Sequence, residues 1–227
     1  MKFKPLALGL ITSALAACST TTANPVASDF KESLSFSGIE VAFDDSRSVP
    51  EVYDKAVREL IDEGEDSILN TEDFATYLDS RGGPGEGDDR LAERYLEYRI
   101  AEEVASTLAE SLSGDVPVNV LIDIERVITP NAATMLLVGE IKAIHYDLDV
   151  VEADGGTVLL DFSEVSKPAV DRSSGAGGGL LGLAIRAGVD TNIQDLEQMA
   201  GAVSEEVAQI LAGEAVNKTV AKKIRRP

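Results

Sequence analysis

The 227-residue sequence predicts an α/β (α+β) fold: a mixed or antiparallel sheet covered by amphipathic helices, as a single domain behind a signal peptide and a linker. Three observations predict it. Apolar and polar residues alternate over 34–43, 118–125 and 144–165, the two-residue period of half-buried strands. Apolar residues recur every three or four positions over 50–63, 88–112 and 190–212, as in helices that cover a sheet. A lone cysteine at position 18 separates an apolar start from everything that follows.

That start has the anatomy of an export signal. Lys2 and Lys4 precede an apolar run from Leu6 to Leu15, interrupted only by Gly9, Thr12 and Ser13. A membrane-spanning helix needs about 20 apolar residues, so this run is too short to span but long enough for a secretory signal. It ends in Leu15-Ala16-Ala17-Cys18, which resembles the lipobox of bacterial lipoproteins. The resemblance implies a diacylglyceryl group on the Cys18 thiol, cleavage that removes residues 1–17, and a further palmitate-type chain on the new amino terminus. One acyl chain binds a bilayer only marginally, so several chains on one residue give a durable anchor. Ser19 follows, where Asp would signal inner-membrane retention in that family, so the resemblance implies the outer membrane, facing the periplasm.

Residues 18–33 read as lipidated anchor and flexible linker: Ser19 to Pro25 is small, polar and aperiodic. With one cysteine no intrachain disulfide forms. The domain is expected over 34–213 and a basic tail over 214–227.

Forty acids against 20 Lys and Arg give a net charge of −20, and removing Lys2 and Lys4 with the leader takes it to −22. Nucleic acid is therefore a poor partner, because phosphate neutralisation needs basic patches. Broad contact with anionic lipid is disfavoured too.

The first strand is expected over 34–43, with Gly38 marking a bulge where the apolar phase shifts. Pro50 opens a helix that Gly64 closes, with Val52, Ala56, Leu60 and Tyr53, Val57, Ile61 at helical spacing. A short helix begins at Asn70 or Thr71 and turns Phe74, Tyr77 and Leu78 to one side. The strongest helical pattern starts at Asp88 and stops at Gly114, with Leu91, Tyr95, Tyr98, Ala101, Ala105, Leu108 and Leu112 on its stripe. Leu96, Ile100 and Val104 widen that stripe, and acids cluster opposite.

Val118, Val120, Ile122 and Ile124 mark the next strand. An extended segment from Met135 to Val151 changes parity, which predicts a bulge near Ala143. Asp154-Gly155-Gly156 is a hairpin signal. A three-residue loop with Gly156 left-handed sets Ala153 against Thr157, Val150 against Leu160 and Leu148 against Phe162, joining apolar to apolar. The last helix starts at Asp190 or Asn192 and ends at Gly213. Its stripe of Ile193, Leu196, Ala200, Val203, Val207 and Ile210 should cover Tyr146, Leu148, Leu160 and Phe162, with Asp195, Glu205 and Glu206 pointing outward. The tail from Ala215 is basic and expected to fray.

Candidate chemistry is sparse. Gly177-Gly178-Gly179-Leu180-Leu181-Gly182 matches G-x-G-x-x-G formally, but no βαβ unit surrounds it. The stretch 175–188 reads instead as an apolar packed loop, or as a segment that touches membrane or partner. His145, the single histidine, shares a strand face with Asp147, Asp149 and Asp161. One histidine without cysteines is a thin metal site, and the face reads as solvated. There is no G-x-S-x-G nucleophile elbow. No catalytic residue, cofactor or metal is expected, and Cys18 is the one assigned site.

The order strand, helices, strand, hairpin, glycine-rich loop, helix resembles a group of bacterial lipoproteins with a small α/β domain behind a lipobox. It includes the amino-terminal domain of TolB, CsgG of curli secretion and penicillin-binding-protein activator lipoproteins. The resemblance spans residues 34–213, with 50–113 as a helical insertion. It implies a non-catalytic binding or assembly domain in the cell envelope, with the membrane and an envelope protein as partners. The alternative is an accessory lipoprotein of lipid transport or secretion, ahead of an enzyme.

Overall fold

The computed structural model describes residues 21–22, 26, 30–44, 49–63, 71–82, 90–129, 142–168, 189–214 and 216–217. Cys18, Met135 to Ile141 and the glycine-rich stretch 175–188 lie outside the described residues. A two-residue strand β1 (Thr21–Thr22) and a helical turn α1 (Phe30–Ser33) lead into β2 (Leu34–Phe43). Three helices follow: α2 (Glu51–Glu63), α3 (Thr71–Ser80) and α4 (Leu91–Ser111). Then come β3 (Val116–Ile128), β4 (Ala143–Glu152), β5 (Val158–Pro168), α5 (Val189–Leu211) and the two-residue β6 (Val216–Asn217).

The main sheet is mixed, in the order β2-β3-β4-β5. β2 and β3 pair in parallel, and the other two pairings are antiparallel. Parallel neighbours cannot be joined by a tight turn and need a crossover. Helices α2 to α4 are that crossover. The segment 50–113, which looks like an insertion in the sequence, is thus what allows β2 to lie beside β3.

One face of the sheet is core. Val118, Val120, Ile122, Ile124, Tyr146, Leu148, Val150 and Phe162 are buried on it, covered by α4 and α5. Burying one such side chain contributes roughly 1.5–3 kcal/mol, so this face dominates the stability of the domain. The predicted hairpin register holds: Val150 faces Leu160 and Leu148 faces Phe162. Leu160 is only half-buried against the core.

The loop is one residue longer than expected. Glu152, not Ala153, bonds to Thr157, its N–H donating to the Thr157 carbonyl at 2.9 Å. Leu159 then bulges between Val158 and Leu160 and restores the register. Gly156 has φ of 63°, the left-handed turn conformation expected of it.

The bulge expected in β2 is present: Ser37 is the extra residue between Phe36 and Gly38. The parity change near Ala143 is met differently. The extra residue lies on the partner strand, at Glu125, between the pairs Ile124–Tyr146 and Arg126–His145.

Gly114 ends the α4 segment for a reason other than capping. Its N–H donates to the Leu34 carbonyl at 2.6 Å, and a Cβ there would overlap the backbone of Ser33. The end of α5 is a Schellman motif. Gly213 (φ 71°) donates to the Ile210 carbonyl and Glu214 to that of Gln209.

Ordered contacts extend beyond 34–213. Val26 is buried in the core, and β1 pairs antiparallel with β6, Thr21 opposite Asn217 and Thr22 opposite Val216. The aperiodic linker and the start of the basic tail, read from sequence as unstructured, therefore clasp each other.

Candidate functional site

The second face of the sheet carries the chain's candidate site. Parity in β3 puts Asn119, Leu121 and Asp123 there, half-buried or exposed between buried neighbours, and the bulged Glu125 after them is exposed. The register builds cross-sheet rows. Glu40, Leu121, Asp149 and Asp161 form one, and Ala42, Asp123 and Asp147 a second. Gly38, Asn119, Val151 and Val158 form a third, and Arg126, His145 and Ser166 lie at the far end.

Like charges directly opposite repel. Partial burial raises the affinity of Asp149 for a proton, and Asp161 and Asp147 add to it. Asp123 is raised in the same way, by burial first, then by Asp147 and Asp44.

The sequence placed His145 with these acids, away from Tyr146, and the structure agrees. Its immediate neighbour is cationic, however. Arg126 pairs with it across β3, and burial followed by Arg126 lowers its proton affinity. Its Nε2 lies 3.5 Å from Ser166 Oγ. Among the described residues no group of three or more His, Cys, Asp or Glu is arranged to hold a metal ion.

Two acids expected to point outward from α5 are buried instead. Asp195 is 9% exposed and Glu206 2%. The reason is the helical layer. α5 packs mainly on α4 as well as on β4 and β5, so much of its polar face is also enclosed. Asp195 accepts the Tyr53 hydroxyl of α2 at 3.2 Å and pairs with Lys142, just before β4. Burial, then Asp195, raises the Tyr53 phenol.

Two residues on, Glu197 accepts Tyr95 Oη at 2.6 Å and a bidentate Arg99, whose Nε and Nη2 lie 2.7–2.9 Å from its oxygens. Burial opposes the Arg99 cation, but Glu197 and Glu102 together outweigh it and the guanidinium is held more firmly charged. Thr107 and Ser204 meet at 2.9 Å further along the same helix pair.

Glu206 reaches the core beside Tyr146. The Tyr146 hydroxyl is buried without a hydrogen-bond partner among the described residues, and burial and the Glu206 charge raise its pKa. Sequence reasoning missed these polar ties because both helices have the composition of surface helices. A readable signal was the pairing of acid-rich positions on α5 with Tyr95, Arg99 and Thr107 at matching turns of α4.

Cys18 lies outside the described residues, three positions before Thr21 of β1. No described helix is long and apolar enough to cross a membrane. Neither a protein-family description nor a curated protein matches the chain. Among solved structures it is similar to a candidate lipoprotein from Caulobacter crescentus CB15, with 11% identity and a TM-score of 0.28, over 52% of this chain and 80% of that one.

Proposed function

We propose that the protein is a lipoprotein, acylated at Cys18, held at the outer membrane facing the periplasm. There it acts as a non-catalytic binding or assembly domain that presents the sheet face opposite α4 and α5 to an envelope protein. The observation that carries this reading is the one-sidedness of the sheet among the described residues. α4 and α5 cover the face that holds Ile122 and Leu148, while Leu121, Val151 and Val158 stand on the other among rows of carboxylates. Apolar positions rimmed by charge are the anatomy of a protein-binding patch.

A non-catalytic role is supported by the surroundings of the single histidine. The residue across β3 from it is the cation Arg126 rather than a carboxylate that could orient the ring, and its hydroxyl neighbour Ser166 sits at the long limit of a hydrogen bond. The polar groups of the helical layer, Tyr53, Asp195, Glu197 and Arg99, are engaged in tying elements together.

A photo-crosslinking residue at Leu121 should capture one discrete protein in intact envelopes, and the same residue at Asp79, on α3, should capture none. Equal capture at both positions, or none at either, removes the binding role. Cys18→Ser should release the protein from the membrane fraction or leave the precursor uncut. Normal fractionation of that variant with full processing removes the lipoprotein reading.

A further inference from the structure

We infer that Arg126, His145 and Ser166 form a carboxylate-binding site, and that the envelope protein docked on this sheet face places one of its own carboxylates there. This rests on the reading of that face as the docking surface.

A bulge builds the site. Ile124 pairs with Tyr146, and in an unbroken antiparallel ladder Glu125 would then face His145 while Arg126 faced Ile144. Ile144 is fully buried, so that register would drive a guanidinium toward the core. The extra residue Glu125 shifts the ladder, and Arg126 takes the place opposite His145. Bulges re-aim side chains in this way. A cation thus stands beside the histidine where a regular strand would put a carboxylate. His145 in turn faces Ser166 on β5, so three donors form a row across three strands, about 10 Å wide.

These donors are short of acceptors. Among the described residues Arg126 enters no ion pair. Ser166 is 9% exposed, and the contact of its hydroxyl is His145 Nε2 at 3.5 Å, the outer limit for a hydrogen bond. The row runs inward, from exposed Arg126 through half-buried His145 to buried Ser166. An acceptor arriving from solvent meets the guanidinium first and the ring next.

Charge and shape select the ligand. A guanidinium fork matches the two oxygens of a carboxylate. Asp123 and Asp147 share this sheet face, and Glu125 stands exposed beside Arg126. In that setting, on a chain of net charge −20, a singly charged carboxylate is repelled less than a phosphate dianion. Complementary charges fix the register of a partner. A cation at the end of an acidic face therefore marks where the partner's acid belongs.

The test uses the chain from residue 18 on, which holds every described element, with no histidine tag. His145 is the single histidine, so its ring proton resonance is assigned at once. Acetate, against chloride at matched ionic strength, should raise the His145 titration midpoint by about half a pH unit or more, and saturably, because a bound anion favours the imidazolium. Phosphate should raise it less. Arg126→Gln should raise the midpoint in chloride, since Arg126 lowers it, and should abolish the response to acetate. No acetate response, a response the Gln variant keeps, or an unchanged chloride midpoint in that variant overturns the site. An equal or larger effect of phosphate overturns the carboxylate assignment.

The partner is tested separately. Capture by a photo-crosslinker at Leu121 should fall at least about tenfold in Arg126→Gln, the cost of truncating one side of a hydrogen-bonded charge pair. No capture by the unaltered chain removes the docking reading and the partner as the source of the carboxylate, while acetate still decides the site. Capture that Arg126→Gln leaves undiminished removes the partner as source and leaves the docking reading standing.

Discussion

Asp54, on α2, accepts the backbone N–H of Ala92, in the first turn of α4, at 2.9 Å. The residue before α4, Arg90, offers no side-chain cap of its own. The cap of the longest crossover helix is therefore supplied from a different helix, and Asp54 is 5% exposed while doing so. Asp54→Ala should cost about 0.5–2 kcal/mol, the range for losing an N-cap. Urea unfolding monitored by circular dichroism checks it, and an unchanged midpoint counts against the cap.

Gly114→Ala should cost about 2 kcal/mol or more, because its Cβ would meet main-chain atoms of Ser33 and Glu32 that cannot swing aside. The thermal midpoint reports this. A neutral result would place the α1–β3 approach wrongly.

Val203 is fully buried on α5. Val203→Asp should abolish cooperative unfolding, since it leaves an uncompensated charge in the core. A variant that kept its midpoint while losing crosslinked partners would make the α5 stripe an interaction surface instead.

Tyr146→Phe should be neutral or stabilising by up to about 1 kcal/mol, as it removes a buried hydroxyl without a partner among the described residues. A clear loss of stability would show that the hydroxyl is satisfied.

Asp149 and Asp161 face each other across β4 and β5, and burial, then Asp161, raises the Asp149 carboxyl above its ordinary value of 3.8. A raised carboxyl binds its proton more tightly folded than unfolded. Its favourable contribution is full below pH 3.8 and is lost as pH rises through the folded value. Asp149→Asn should therefore stabilise the protein at pH 7, by about 0.5 kcal/mol for relief of one like-charge pair. The gain should shrink as pH falls. Midpoints at pH 4 and pH 7 for both chains test the trend.

Local patterns in the sequence carried much of this fold. Alternation at Val118 to Ile124 and at Leu148 to Phe162 identifies the strands and the inner face, because a one-residue slip would expose every apolar side chain. Gly156 announced a left-handed turn because few other residues suit that place, and the change of apolar phase at Gly38 announced a bulge whose extra residue is Ser37. Pairing direction was not legible: Ile39, Val41 and Phe43 alternate alike whether β2 meets a parallel or an antiparallel neighbour. Nor were the buried carboxylates. Asp195, Glu206 and Asp54 look solvated along one helix and become interior only once a second helix closes over them. Of the candidate site, the face shared by His145, Asp147, Asp149 and Asp161 was legible from parity, whereas Arg126 beside His145 depends on the bulge at Glu125.

The two outer strands of the main sheet are both interrupted. β2 carries Ser37 as an extra residue, and β5 carries Leu159 and a second irregularity between Phe162 and Val165 before ending in Lys167-Pro168. A protein confined to a bilayer surface meets copies of itself far more often than one free in solution. Long, flat borders would let those copies zip edge to edge into fibrils. Kinks and a terminal proline deny a neighbouring molecule a continuous run of backbone to pair with. If the protein is anchored as proposed, crowding on the membrane rises without the sheets polymerising, and removing Ser37 and Leu159 together should turn a dispersed population into an aggregating one.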